Sequence, residues 1–66
     1  MIIQLNGTQK KLTQASTLAG IITTFTKNPE HVIAEVNGHI TKKASWAKTQ
    51  VKDGDVIELV SFVGGG

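Results

Sequence analysis

The chain has 66 residues, a net charge of +2 and no cysteine. A domain of this length buries only about 60% of its unfolded surface, so its core is small and a deep catalytic pocket is excluded. Disulfides, thiolate ligands and a cysteine nucleophile are excluded too, and no apolar run approaches the roughly 18 residues of a membrane span. The seven basic residues are all lysines, and two phenylalanines and one tryptophan are the only large aromatics. With no arginine and so few aromatic rings this is a poor nucleic-acid surface. Met1 leads straight into a strand-like segment with no signal peptide, so a cytoplasmic protein is the expectation.

Met1 to Leu5 alternate, with Met1, Ile3 and Leu5 on one face and Gln4 on the other. Asn6-Gly7 is a tight hairpin turn, because both residues tolerate positive φ. Thr8 to Thr13 returns as a more polar strand anchored by Leu12, and its lysines suit a sheet edge. Ser16 or Thr17 caps a helix. Leu18, Ile21, Ile22 and Phe25 then recur at helical spacing, a stripe that packs into the core. Asn28-Pro29 ends that helix. Val32 to Val36 is a strand, Asn37-Gly38 a second turn, and Ile40 lies in a short extended piece. Lys42 to Lys48 is an irregular crossing in which Trp46 covers one end of the core. Asp53-Gly54-Asp55 turns sharply into the last strand, which starts at Val56.

The order strand, strand, helix, strand, short strand, strand predicts an α+β fold. It has a single mixed sheet of four to five strands, with one main helix packed on one face. Residues 1–63 form the domain and residues 64–66 a flexible glycine tail. In the last strand, Ile57 and Leu59 point inward, so Val56, Glu58, Val60 and Phe62 point away. Either that apolar strip docks a partner, with Val60 and Phe62 as the contact residues, or a loop of the same chain covers it.

Gly64, Gly65 and Gly66 follow directly on this strand. Glycine has the widest backbone freedom and no side chain, which suits a thin tether entering a narrow site on another protein. The carboxylate of Gly66 is then the reactive group. Elsewhere the chemistry is sparse. His31 and His39 stand eight positions apart with no cysteine or carboxylate cluster at metal-ligand spacing, so no metal is expected. Asp53 and Asp55 are turn formers, and no phosphate-binding glycine loop opens a helix. The chain itself is expected to hold no cofactor.

The element order resembles the ubiquitin-like β-grasp fold. Val36-Asn37-Gly38, Trp46, Val51 to Asp55, Ile57 to Val60 and the ending Val63-Gly64-Gly65-Gly66 are similar to the ThiS family, the sulfur carriers of thiamin thiazole biosynthesis. Thr41-Lys42-Lys43 departs from the commoner family pattern, which has a proline there. The resemblance implies a carrier rather than an enzyme. A ThiF-like adenylating enzyme uses ATP to activate the Gly66 carboxylate, a sulfur donor protein converts it to a thiocarboxylate, and a thiazole synthase accepts the sulfur. The small subunit of molybdopterin synthase, a longer type of carrier, is the alternative. A third reading is a β-grasp interaction module without tail chemistry.

Overall fold

The computed structural model describes residues 1–62. Its elements are β1 (Ile2–Leu5), β2 (Thr8–Lys11), β3 (Ser16–Thr17), α1 (Leu18–Phe25), a 3-10 turn (Pro29–His31), β4 (Val32–Val36), β5 (His39–Thr41), a 3-10 helix (Lys43–Lys48), β6 (Gln50–Val51) and β7 (Val56–Ser61). Five strands form one sheet in the order β2-β1-β7-β4-β5, and β3 and β6 form a separate small ladder. The pairing of β1 with β7 is parallel, and the other pairings are antiparallel. This is the mixed sheet with one main helix that the element order predicts. Among the described residues, no helix is long and apolar enough to cross a membrane.

Local chemistry accounts for the turns. Asn6 and Gly7 have φ of 50° and 81°, and Asn37 and Gly38 have φ of 52° and 85°. Positive φ at both central positions matches the right-handed twist of the flanking strands. The strands then alternate as expected. Ile3, Leu5, Val32, Ala34 and Ile57 are buried on one face of the sheet, beneath Leu18, Ile21 and Ile22 of α1. Trp46 is buried at the end of this core, and its indole N–H donates to the Thr41 carbonyl at 2.9 Å. Thr17 caps α1, its hydroxyl accepting from the Gly20 N–H at 3.2 Å.

Three expectations need correction. The helix ends at Phe25, with Thr26 already extended at φ −136° and ψ 138°, rather than at Asn28-Pro29. Proline disfavours helical geometry at the residue before it, and the β-branched run Thr23, Thr24 and Thr26 weakens the helix earlier still. Phe25 is not core. It is 40% exposed at the end of the stripe, and the Lys10 ammonium lies 5.5 Å from its ring centroid. The Lys42 to Lys48 crossing is a regular 3-10 helix rather than an irregular one, and the β3–β6 ladder that follows it was not foreseen.

The last strand is held from several sides. It lies between β1 and β4, with Leu5 beside Ile57 in the first ladder and Val36 opposite Ile57 in the second. Where the β1 ladder stops, the Asn6 side-chain carbonyl accepts from the Leu59 N–H at 2.7 Å. At the other end, the Asn37 side-chain carbonyl accepts from the Val56 N–H at 2.9 Å, and its amide donates to Asp55 at 3.0 Å. Both Asn-Gly turns thus also clamp β7.

Two substitutions test this division. Ile22→Ala removes a fully buried side chain and is expected to cost about 2–5 kcal/mol, whereas Ile40→Ala on the exposed face should stay within about 0.5 kcal/mol. Urea melts compare them, and equal losses would contradict the assigned core. Asn6→Gly keeps the positive φ but deletes the clamp, so it should cost about 1 kcal/mol. It should also speed hydrogen exchange at the Leu59 amide. Unchanged exchange there would show that the clamp is idle.

Candidate functional site

The candidate site is the carboxyl-terminal end of β7 and the surfaces beside it. The β4 ladder runs to the end of the strand, from Val36 opposite Ile57 to Val32 opposite Ser61. One residue later, the Phe62 N–H donates to the His31 carbonyl at 2.9 Å. A strand anchored to its last residue gives whatever follows a fixed point of departure. Gly64, Gly65 and Gly66, the expected tether and reactive end, lie outside the described residues, as does the 1–63/64–66 domain boundary.

Val60 and Phe62 border different surfaces. Val60 is 51% exposed on the open face of the sheet, directly opposite Ile33. Phe62 lies just past the strand, and its ring centroid is 5.7 Å from that of His31 with the planes tilted by 42°. It borders a concavity of about 510 Å³ on the helix side, lined also by Leu5, Phe25, Lys27, His31 and Leu59. Among the described residues, no loop lies over the open face at Val60, and Phe62 is itself 37% exposed. The expected outward strip is therefore exposed, but it divides at Ser61, where regular alternation ends.

The open face carries further apolar side chains. Ile2, Val56, Ile33 and Ile40 all stand exposed there, with Glu35 and Glu58 directly opposed between them. The sequence could have revealed this grouping only through the strand register, because β1, β4 and β7 are distant in the chain. Phe25 was hidden by its place in a clean helical stripe. His31 packs against Phe62, and His39 lies at the exposed end of the β4–β5 hairpin. Among the described residues, no three histidine, aspartate or glutamate side chains gather as a metal site. The surface at the end of β7 has a concavity, an apolar sheet face and an anchored strand end. Among the described residues it gathers no constellation of acid, base and nucleophile.

Comparison with known proteins places this architecture. Residues 3–66 match the sequence model of the ThiS family. Over 66 residues the chain is 35% identical to the sulfur carrier protein ThiS of Bacillus subtilis, covering 98% of this chain and 100% of that protein. It is 32% identical to a thiazole synthase of Paramagnetospirillum magneticum, covering all of this chain but only 20% of that protein. The chain thus spans about a fifth of the thiazole synthases it matches. The crystal structure of the thiamine biosynthesis protein ThiS of Geobacter metallireducens superposes with a TM-score of 0.87 at 28% identity, over the full length of both chains. That match extends to the β-grasp arrangement of sheet and helix. With the family's pattern running over nearly every residue and its fold reproduced, the chain belongs to the ThiS family.

Proposed function

We propose that this chain is a sulfur carrier of thiamine biosynthesis and that its working group is the carboxylate of Gly66. The observation that carries the reading is the family match across residues 3–66, which reaches through the three terminal glycines. The anchored end of β7 supports it, since a carrier needs a rigid body behind its reacting end. The role is that of a co-substrate, as the likeness to a sulfur carrier protein supports.

The chemistry follows from the group itself. A terminal carboxyl has an ordinary pKa of about 3.3–3.7, so it is ionised at neutral pH and nucleophilic. One of its oxygens attacks the α-phosphorus of ATP on an adenylating enzyme, the bond to pyrophosphate breaks, and an acyl-adenylate forms. Hydrosulfide, released by a donor protein, then attacks the acyl carbon, the bond to AMP breaks, and the carrier leaves with a thiocarboxylate. Thiazole synthase is the natural acceptor. The matched thiazole synthases contain a segment like this chain within a longer protein, and covalent union of carrier and acceptor supports their working together. ATP and these partners belong to the cytoplasm, where we place the carrier. Val60 and Phe62 remain the candidates for partner contact.

The tether length makes the reading testable. One alanine added after Gly66 moves the carboxylate outward by up to about 3.5 Å. Misplacing a reacting atom by about 1 Å already costs on the order of a hundredfold in rate. The extended chain should fold normally yet fail to support ATP–pyrophosphate exchange by the adenylating enzyme. The unmodified chain, incubated with that enzyme, ATP and a sulfur source, should gain the mass difference between sulfur and oxygen at its last residue. Normal exchange by the extended chain would refute the assignment to Gly66.

A further inference from the structure

The end of β7 is held differently from its middle. The β1 ladder stops with Leu5 beside Ile57, and the Asn6 clamp reaches only as far as Leu59. From Val60 onward, among the described residues, the strand's backbone partners come from one side. Val32 stands opposite Ser61, and the His31 carbonyl then accepts from the Phe62 N–H at 2.9 Å. His31 is thus the last residue to grip the strand, and it does so twice. Its ring also lies against that of Phe62, with centroids 5.7 Å apart and planes tilted by 42°, a geometry in which aromatic rings attract each other.

His31 is itself fixed from its own side. Pro29 opens the 3-10 turn, with its φ restricted by the pyrrolidine ring. The His31 N–H donates to the Asn28 carbonyl at 3.0 Å, and Val32, the next residue, is buried in the core. The turn contributes no buried residue, however. A ring pair outside the core adds little to the stability of the domain. What it holds is the orientation of Phe62, four residues before the carboxylate of Gly66. We infer that His31 is a positioning residue for the carrier chemistry, its ring and carbonyl together setting the direction in which the chain leaves β7. The inference rests on the carrier reading above.

The reach of the reacting group makes that direction matter. Four residues span at most about 14 Å, so the setting of Phe62 decides which volume the carboxylate can enter. A residue released from the strand must also be ordered again whenever the carboxylate reacts. Fixing the backbone of one residue corresponds to a rate factor of about five to thirty. His31 takes no part in bond making. It acts through Phe62, by keeping that residue ordered before the adenylating enzyme is met, which is the general advantage of preorganisation.

The test uses the full chain with His31→Ala, His31→Phe, Phe62→Ala and the double variant His31→Ala/Phe62→Ala. Thermal unfolding should leave His31→Ala within a few degrees of the parent, because no core residue changes. Hydrogen exchange at the Phe62 amide should quicken in that variant while exchange at Leu59 stays as it was. ATP–pyrophosphate exchange by the adenylating enzyme is then followed against carrier concentration. His31→Ala should lower kcat about fivefold with KM unchanged. His31→Phe, which keeps a ring against Phe62, should restore kcat, and His31→Ala should add nothing once Phe62 is alanine. Unchanged kcat in His31→Ala would show a merely structural contact and overturn the inference. A loss confined to KM, or no recovery in His31→Phe, would overturn it as well. In each of these cases the carrier reading stands. A parent chain that supports no exchange would overturn the carrier reading and this inference with it.

Discussion

The structure depends on β7 lying in the middle of the sheet, paired in parallel with β1 on one side and antiparallel with β4 on the other. Ile57, paired in both ladders, is fully buried. Among the described residues, no other strand joins the amino-terminal hairpin to the β4–β5 hairpin. Without β7 the sheet is two separate hairpins, and an isolated hairpin is marginal in water. The side-chain clamps from Asn6 and Asn37 reinforce this one insertion.

The two faces of the sheet then divide the work. The inner face, beneath α1, holds the buried aliphatic residues and carries the stability of the domain. Among the described residues no element covers the outer face, so its side chains are free of packing duty. That freedom lets an unfavourable carboxylate pair and several exposed aliphatic residues persist there. Placing exposed and core residues alternately on one strand also couples the surface to the scaffold. Val60 keeps its position because Ile57 and Leu59 are held beneath it.

Much of this was legible in the residues. Alternation located β1, runs of β-branched and aliphatic residues located β4 and β7, and the two Asn-Gly pairs located both hairpin turns with the backbone angles their chemistry requires. Trp46 was correctly read as a cover for the core. The failures have a common cause. Phe25 satisfies the helical spacing, yet whether a stripe residue is buried depends on where the sheet ends beneath it. The β3–β6 ladder has only two residues on each strand, too few for periodicity to reveal. The opposition of Glu35 and Glu58 depends on register between segments more than twenty positions apart, which spacing along one strand does not encode. The roles of the Asn6 and Asn37 side chains were hidden for the same reason. Their turn chemistry was visible, but their long-range hydrogen bonds were not.

The central position of β7 has a consequence for biosynthesis. Ribosomes deliver a chain from its amino terminus at about 5–20 residues per second, and domains generally fold as units as they emerge. Here the segment that joins the two hairpins is made after every other strand of the sheet, and its pairing with β1 closes a long loop, a topology that slows folding. The nascent domain therefore waits, with its aliphatic face uncovered, until β7 has cleared the exit tunnel. A chain broken off before Val56 would never form the sheet and would be left to proteolysis. Completing the fold in this way acts as a check that the strand leading to the glycine tail has been made.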